Sequence, residues 1–570
     1  MQTLLQDLRY GARILWKQLG YTLIVILALS PDSSATPTAP TAPTAPTAMD
    51  GDWVGGWQHK QAWVSVKANF KTDADTLKAT LDVQAVEGPK SFTVPVIKLD
   101  QQIFRLETAK GAEAIVLEWK VTGDVVKDVI RGHWQQAEAQ GEFELWRVAK
   151  VDPKLFDQYV GSYRLAADNF IAIGRQTRTG QNPRLGYVER KSGRRGNLTP
   201  LSDTTFIGGP ALGLDYPADV QITFVKNSRG EIEGVEWRQG QAKGMFAKTL
   251  RLKEEEVRFP SGAHTLAGTL VLPPTRGPHP AVVLAHGSTP LHRHYFGADP
   301  YMYPAHGVAV LFYDKRGVGA SAGARTENIE ELAADLLAGV AYLQTRAEID
   351  AKQIGLFGHS EGGWVVPEAA ARSKELAFII AGAASGLPRQ ENIIYEMEGD
   401  MRWAGFGETE RAKARKLWKL RNEAVRSNGE SWNTWRVEVL QAQAEPWFAR
   451  ARMPGAVSEM NDANRARLMN FMAEERRWWY DPVPAWERIT IPALVYESEW
   501  DKDVPGRESA AIIERALRKA GNKAYKIKIF PQSQHGQWAM ATENPNNPLS
   551  YRVHYDLLFN WLSQHVKVRQ

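Results

Sequence analysis

Cysteine is absent from the 570-residue chain. Its absence excludes disulfide bonds, thiol nucleophiles and zinc sites built on thiolates. It does not locate the protein, because a chain without thiols suits any cellular compartment. A catalytic nucleophile in this chain would have to be a hydroxyl, a carboxylate, an imidazole or an amine.

The chain has little net charge, with 70 basic residues against 65 acidic residues and a balance of +5. It has no block of Lys and Arg with interleaved aromatic residues, so nucleic acid is not expected as a partner. The patterns G-x-G-x-x-G, Walker A and H-E-x-x-H are also missing. The sequence therefore implies no nucleotide, flavin or metal as a cofactor.

An apolar run near the N-terminus, residues 21–29, is shorter than the roughly 20 residues that a membrane span needs. Arg9, Arg13 and Lys17 precede it, and this order is typical of a signal peptide. Residues 38–48 repeat Thr-Ala-Pro, which favours an extended linker. We predict a signal peptide and linker over 1–50 and a secreted or periplasmic protein. The alternative is an uncleaved anchor, the only contact with a membrane that the sequence suggests.

Two stretches after this segment alternate apolar and polar residues, the pattern of half-buried antiparallel strands. The first covers residues 51–151, with Trp53, Trp57 and Trp134 as candidate core residues, and the second covers residues 152–252. A chain of 570 residues is too long for one hydrophobic core. We therefore predict two small, mainly-β domains before a third domain.

From residue 253 onward, short and wholly apolar runs alternate with helical patterns. Such runs are typical of a parallel sheet that is buried on both faces, and they predict an α/β fold. Apolar residues at helical spacing between 329 and 343 predict a helix with Thr326 as its N-cap. An antiparallel pair is predicted first, at 257–260 and 265–272. The other predicted strands are 281–285, 308–313, 354–357, 378–381, 493–496 and 525–530.

The segment Gly358-His359-Ser360-Glu361-Gly362 lies between a predicted strand and a predicted helix. A bare G-x-S-x-G pattern is weak evidence, but the strand–turn–helix context is what a nucleophile elbow requires. Serine is a poor nucleophile at neutral pH unless a base accepts its proton and an acid orients that base. The pattern therefore predicts Ser360 as a nucleophile with two partners further along the chain.

The acid and the base are expected in the chain order Ser, Asp or Glu, His. Asp501 and Asp503 follow one predicted strand, and His535 follows the last. His554 and His565 lie in a predicted amphipathic helix, where a surface position is the default. We therefore predict His535 as the base and Asp501 as the acid, with Asp503 as the second choice.

The oxyanion formed when serine attacks a carbonyl needs two backbone N–H donors. The first is expected from Glu361, the residue after the nucleophile. The second is expected from the loop His286-Gly287-Ser288, where glycine allows close approach to a substrate. Ser288 is our first choice for this donor and Gly287 the second.

Residues 253–570 resemble secreted bacterial α/β-hydrolase esterases of the serine aminopeptidase-like and dienelactone-hydrolase-like branch. The matching segments are 280–288, 313–321, 358–363 and 501–505. The resemblance implies an α/β-hydrolase fold and an esterase that cleaves short to medium acyl esters through an acyl-enzyme. It also favours Asp501, which stands three residues before Val504-Pro505 as in related hydrolases. Thr289 and the pair His292-Arg293 depart from the glycine and the acidic residue that relatives often have.

Other parts of the chain fit the same resemblance. The first β stretch resembles a module often found before bacterial hydrolase domains, and the second resembles their accessory β domains. The charged, Trp-rich segment 387–481 interrupts the strand pattern where such enzymes place a helical cap. A cap there would cover the site and line an apolar acyl pocket.

Three alternative functions remain open. The same groups could cleave amides or peptides in an aminopeptidase-like enzyme, because the sequence does not show the pocket. The chain could also be a noncatalytic envelope-binding protein with a degenerate hydrolase domain. A permease-associated role depends only on residues 1–29, which resemble the opening of ABC-type permease subunits. The expected partner is a small-molecule ester or a peptide substrate.

Overall fold

The computed structural model of the chain divides into two compact units, with the boundary between Ala149 and Lys150. The predicted signal peptide or anchor and the Thr-Ala-Pro repeats lie outside the described residues. Among the helices of the described part, none is both long and apolar enough to cross a membrane. The residues that the structure describes are 49–59, 62–73, 76–85, 88–98, 103–108, 115–120, 129–177, 183–209, 218–240, 242–453, 461–475, 479–536 and 549–568.

The first unit contains a closed barrel of eight antiparallel strands. Each strand pairs with the next along the chain, and the last pairs with the first to close the barrel. Trp53, Trp57 and Trp134 are buried as predicted, and the last two rings stack with centroids 5.7 Å apart. The strands are β1 (Gly51–His59), β2 (Ala62–Asp73), β3 (Thr76–Ala85), β4 (Gly88–Lys98), β5 (Ile103–Glu107), β6 (Val116–Lys120), β7 (Val129–Gln136) and β8 (Ala139–Arg147).

The second unit begins with another closed eight-stranded barrel, so the predicted mainly-β character of both stretches is confirmed. Its last strand pairs with its first through Leu250 and Ser162. The strands are β9 (Gly161–Ala166), β10 (Asn169–Gln176), β11 (Arg184–Glu189), β12 (Arg195–Pro200), β13 (Thr205–Gly208), β14 (Val220–Lys226), β15 (Ile232–Gln239) and β16 (Met245–Leu250).

An eight-stranded sheet follows in the same unit, in the order β17-β18-β20-β19-β21-β22-β23-β24. The first three strands of this order pair antiparallel. β20 and the five strands after it in this order, including β19, pair parallel, which confirms the predicted α/β fold. Their carboxyl ends therefore meet at one edge of the sheet. The strands are β17 (Lys253–Ser261), β18 (His264–Leu272), β19 (His279–Ala285), β20 (Ala309–Tyr313), β21 (Ile349–His359), β22 (Phe378–Gly382), β23 (Ala493–Ser498) and β24 (Tyr525–Phe530).

Helices cover the sheet and form a cap before its last two strands. The core under them is built from wholly buried strand residues such as Val283, Leu356 and Ile379. The cap is formed by α4 to α7. The helices are α1 (Met302–Ala305), α2 (Ile329–Gln344), α3 (Gly362–Arg372), α4 (Arg389–Trp403), α5 (Glu408–Arg426), α6 (Trp432–Ala442), α7 (Asp462–Glu475), α8 (Val483–Trp486), α9 (Gly506–Lys519) and α10 (Leu549–His565).

The N-cap of α2 is Asn328 and not Thr326, so that prediction was wrong. The Asn328 side chain accepts from the backbone N–H groups of Glu330 and Glu331, at 2.8 and 3.1 Å. The Thr326 hydroxyl instead accepts from the N–H of Asn328, at 3.1 Å. Both residue types cap helices, and the helix begins two residues later than the predicted cap required.

The second barrel packs against the sheet domain, within the same compact unit. Phe170, Ala172 and Val188 of the barrel share an apolar cluster with residues around α1, β20 and α10. The buried Ser162 hydroxyl donates to the carbonyl of Tyr301, at 2.6 Å. The barrel therefore holds the segment that leads from the loop after β19 to α1.

Candidate active site

Ser360 lies in a tight turn between β21 and α3. Its φ of 61° is in the left-handed region, which a residue with a Cβ rarely adopts. The backbone N–H of Ser360 donates to the carbonyl of Gly382, at 2.9 Å, and this bond fixes the turn above the neighbouring strand. Such strain persists only where the surroundings impose it, and it is the conformation expected of a nucleophile elbow.

The glycines on either side of Ser360 are required by close contacts. A Cβ on Gly358 would lie 2.2 Å from the carbonyl oxygen of Gly362. A Cβ on Gly362 would lie 2.9 Å from the carbonyl oxygen of His286. The turn therefore packs backbone against backbone, and it also packs against the loop after β19.

We expect Gly358→Ala to lower the free energy of unfolding by at least about 1–3 kcal/mol, because backbone atoms must move to admit the methyl group. The same movement displaces Ser360, so hydrolysis of an activated ester should fall with it. Thermal unfolding and turnover measured together test this. Gly244→Ala is the matched control, since its Cβ would have no neighbour nearer than 3.9 Å. Equal stability and activity for the two variants would contradict the packing argument.

Three side chains predicted from separate parts of the sequence form one chain of hydrogen bonds. His535 Nε2 lies 2.9 Å from Ser360 Oγ. His535 Nδ1 lies 2.8 Å from Asp501 Oδ2. In the tautomer that Asp501 favours, Nδ1 donates to the carboxylate and Nε2 accepts from the serine hydroxyl. The arrangement can remove a proton from Ser360 and stabilise the imidazolium that results.

Asp501 and Asp503 have different partners. Asp501 is buried, and its Oδ1 accepts from the N–H groups of Asp503 and Val504, at 2.8 and 3.0 Å. Asp503 pairs instead with Lys502, at 2.8 Å. Two backbone N–H bonds to Oδ1 therefore hold the Asp501 carboxylate so that Oδ2 meets His535, whereas the Asp503 side chain contributes charge without a hydrogen bond to His535.

The protonation of His535 reflects two opposing effects. Burial lowers the pKa of His535, but the hydrogen bond and the charge of Asp501 outweigh burial and raise the pKa above 6.5. The charge of Asp503 acts in the same direction. The imidazole is therefore protonated over a wider range of pH than a free histidine.

We expect kcat/KM to have an acid limb with a midpoint above pH 6.5, because protonated His535 cannot accept the serine proton. Asp503→Asn should move this midpoint to lower pH, since one charge that raises the His535 pKa is removed. A pH profile of ester hydrolysis by the two proteins measures both effects. An acid limb below pH 6.5 in the unmodified protein would contradict the assignment of His535 as the base.

Two groups that sequence reasoning did not select support His535 and Asp501. The His359 ring bonds to the backbone carbonyl of His535, at 2.9 Å, and burial lowers the pKa of His359 to about 3. Tyr395 of α4 donates its hydroxyl to the carbonyl of Asp501, at 2.9 Å. His359 lies within the G-x-S-x-G segment, so the motif could have indicated it as a residue of the site. No sequence pattern indicated Tyr395.

His554 is a correction to the sequence analysis. It was assigned a surface position by default, but it is buried against Tyr496, with ring centroids 4.8 Å apart. Burial lowers the pKa of His554 to about 3, so the ring is neutral and contributes to packing. His554 is still excluded as the base, but because it is packed in the core and not because it lies at the surface.

The loop after β19 lies beside the nucleophile. A Cβ on Gly287 would be 3.8 Å from Ser360 Cβ, so the loop approaches the serine closely. Ser288 and Glu361 both line the cavity above Ser360. His286 is buried, and burial lowers its pKa to about 3, which suits a packing role. The predicted oxyanion donors are thus brought to the serine from two separate loops.

The cavity over Ser360 has a volume of about 100 Å³. Its cap-side residues come from α4 and are mostly polar: Arg389, Asn392, Ile393 and Glu396. The cap was expected to line an apolar pocket, but the cap residues described at this cavity are mostly polar. The cap segment is also rich in tryptophan rings. Four of these rings are buried inside the cap, because its helices need their own core: Trp418, Trp432, Trp435 and Trp447.

A metal is the other ligand that this set of groups could hold. Ligand atoms of Asp501, Asp503 and His535 lie within 4.8 Å of one another. Both ring nitrogens of His535 already face Asp501 and Ser360, however, and binding an ion through either would break one of those bonds. The geometry therefore suits proton transfer better than metal binding.

Comparisons with known proteins place the sheet domain among α/β-hydrolase-like chains. A model of the alpha/beta hydrolase family matches residues 282–547, just under half of the chain. The chain is 31% identical over 194 residues to Esterase EstD of Thermotoga maritima, covering 30% of this chain and 47% of that protein. It is 31% identical over 159 residues to the polyketide transferase grgF of a Penicillium species, covering 27% and 53%. The chain spans about half the length of these curated relatives.

Among solved structures, the alpha/beta hydrolase GrgF from Penicillium aligns with 55% of this chain and 99% of its own, at 18% identity and a TM-score of 0.36. The acylaminoacyl peptidase of Pyrococcus horikoshii aligns with 89% of this chain and 80% of its own, at 14% identity and a TM-score of 0.36. The parallel strands, the strained serine turn after β21 and the family match together show that the C-terminal half of the chain has the α/β-hydrolase fold.

Proposed function

We propose that the chain is a serine hydrolase that cleaves carboxylic esters of short to medium acyl chain, with Ser360, His535 and Asp501 as its catalytic triad. The observation that carries the proposal is the pair of hydrogen bonds, 2.9 and 2.8 Å long, that joins these three side chains. The esterase among the relatives supports the same reaction class.

Acylation begins when Ser360 Oγ attacks the ester carbonyl carbon and His535 Nε2 takes the hydroxyl proton. The carbonyl oxygen becomes an oxyanion, which the N–H groups of Glu361 and Ser288 stabilise. When this intermediate collapses, the bond to the alcohol breaks and His535 gives its proton to the departing oxygen. The acyl group is left on Ser360.

Deacylation repeats these steps with water as the nucleophile. His535 accepts a proton from water, and the hydroxide attacks the acyl carbon and forms a second oxyanion in the same position. Collapse releases the carboxylic acid and returns the proton to Ser360 Oγ. The buried carboxylate of Asp501 stabilises the imidazolium in both halves without taking its proton.

The cavity supports a short acyl group. It encloses about 100 Å³, and Trp364, Ile393 and Val504 supply apolar surface around Ser360. A chain of two to four carbons can bury its surface there, whereas a long chain would have to leave the cavity.

Hydrolysis of p-nitrophenyl esters of increasing acyl length tests this proposal. We expect the highest kcat/KM for acetate or butyrate and a fall for the longer esters. Absence of turnover, together with failure of a fluorophosphonate probe to label the protein, would contradict it. That result would favour the noncatalytic envelope-binding alternative.

A second candidate is hydrolysis of amides next to a free amino group. The observation that favours it is the presence of two carboxylates, Glu396 and Asp503, in the lining of the cavity, where they could attract an ammonium group. The rates at which the protein cleaves alanine p-nitroanilide and its N-acetyl derivative test this directly, because only the first substrate has a free amino group. Faster cleavage of the free amine than of any ester would favour the second candidate over the first.

A further inference from the structure

A buried cation lies beneath the two loops that approach Ser360. Lys315 follows β20 and is 3% exposed, and its ammonium lies 2.5 Å from the carboxylate of Glu361, which is equally buried. Burying such a pair removes two charges from water, so it adds little to stability compared with apolar residues of the same volume. A role other than stability is therefore needed to account for it.

The ammonium of Lys315 has three acceptors that match its three N–H groups. Besides Glu361 Oε1, it donates to the carbonyl oxygens of Gly287, at 3.2 Å, and Thr289, at 3.4 Å. The backbone N–H of Lys315 also donates to the carbonyl of Leu291, at 3.1 Å. One residue therefore holds the loop after β19 at three carbonyls.

The bond to Gly287 fixes the direction of the next amide. The peptide between Gly287 and Ser288 is trans, so its C=O and N–H groups point in opposite directions. Because the carbonyl points to the Lys315 ammonium, the Ser288 N–H points away from it. Ser288 and Ser360 both line the same cavity, so the Ser288 N–H is a candidate donor to an oxyanion that forms there.

The loop needs this restraint because it is strained. Thr289 has a φ of 75°, which is unfavourable for a β-branched residue. Glycine would adopt this φ without strain, whereas threonine does not. A strained threonine relaxes unless its surroundings hold it, and the bond from Lys315 to the Thr289 carbonyl is one such restraint.

The second loop is held by the same ammonium. Glu361 directly follows Ser360, and its backbone N–H is the other predicted donor. Its carboxylate accepts from Lys315 and lies 3.8 Å from the guanidinium of Arg389, at the start of α4. Lys315 thus bonds on one side to Gly287, which precedes the donor Ser288, and on the other side to Glu361, which carries the second donor.

We propose that Lys315 is a positioning residue that sets the two backbone N–H donors of the oxyanion hole. This inference depends on the proposed function, because it assigns a purpose to a site that forms an oxyanion. Lys315 does not touch the substrate. It acts through the carbonyl of Gly287, whose trans peptide turns the Ser288 N–H away from the ammonium, and through the carboxylate of Glu361, which it anchors beside Ser360.

The test is Lys315→Met, which keeps the length of the side chain and removes its donors. We expect kcat for p-nitrophenyl butyrate to fall about 10²- to 10³-fold, the effect of losing one oxyanion donor, while KM changes less than about threefold. The inhibition constant of a trifluoromethyl ketone, which forms an oxyanion on the serine, should rise by the same factor as kcat/KM falls. A purely structural role would not make these two quantities change together.

Arg316→Met is the matched control. Arg316 comes from the same loop and is half-buried, and it pairs with the buried Asp335, at 2.7 Å, instead of holding the 287–289 loop. We expect this variant to be less stable but to retain kcat within about threefold. An equal loss of kcat in both variants would show that any broken pair in this loop has the same effect, and would overturn the inference.

The double variant Lys315→Met/Glu361→Gln keeps the test valid if the single variant fails to fold. It leaves no unpaired buried charge, so we expect it to be more stable than Lys315→Met, yet equally slow. If the double variant has near-normal kcat and ketone inhibition while Ser360→Ala is inactive, the inference about Lys315 is overturned and the proposed function stands. Activity that survives in Ser360→Ala would instead overturn the proposed function.

Discussion

Ser360→Ala is expected to lower kcat by about 10⁴- to 10⁶-fold while the protein stays folded. The hydroxyl is the only group that this substitution removes, and alanine fits wherever serine fits. Residual turnover would come from water attacking a substrate held near the oxyanion donors. Ester hydrolysis with a circular dichroism spectrum of the same sample measures both parts of this result.

His535→Ala should give a loss of similar size, because serine without its base is a poor nucleophile. The double variant should be little slower than either single variant, since the two groups act as a unit. Near-normal turnover in Ser360→Ala would refute the site. Fully additive losses would show that the two side chains act in separate steps.

Asp501→Asn is expected to lower kcat by about 10⁴-fold, and Asp503→Asn by less than about tenfold. The reason lies in their partners, because Asp501 Oδ2 is 2.8 Å from His535 Nδ1 while Asp503 pairs with Lys502. An asparagine at 501 can present its amide N–H₂ to the ring and favour the wrong tautomer, in which Nε2 carries the proton and cannot accept one from Ser360. Parallel kinetics on the two variants test this difference.

The reverse order of effects would exchange the roles of the two aspartates. Asp503→Asn serves as the control for charge, since both substitutions remove one negative charge near His535. Equal losses would mean that net charge matters more than the hydrogen bond to Nδ1. Those outcomes would contradict the orientation role assigned to Asp501.

The parts of the fold that follow from local pattern could be predicted from the sequence. Continuous apolar runs such as 281–285 can be buried only in a sheet covered on both faces, and the structure has β19 there. The placement of Ser360, Asp501 and His535 after strands of one parallel sheet also predicted that they would be close. Chain order and strand direction suffice for this inference, because all the carboxyl ends share one edge.

The features that depend on packing between distant segments could not be predicted. The role of Lys315 depends on contacts with Gly287, 28 residues away, and with Glu361, 46 residues away. The sequence could not separate cap tryptophans that pack the cap from any that line a pocket, because both have the same sequence pattern. Only the three-dimensional arrangement shows that residues of α4 such as Asn392 and Glu396 face Ser360 instead.

Mapping the adduct of a fluorophosphonate tests the central claim most directly. Peptide mass spectrometry of the labelled protein should find one adduct, on Ser360, with none in Ser360→Ala and very slow formation in His535→Ala. Stoichiometric labelling of a different residue, or equally fast labelling when His535 is replaced, would contradict a serine that is activated by that imidazole.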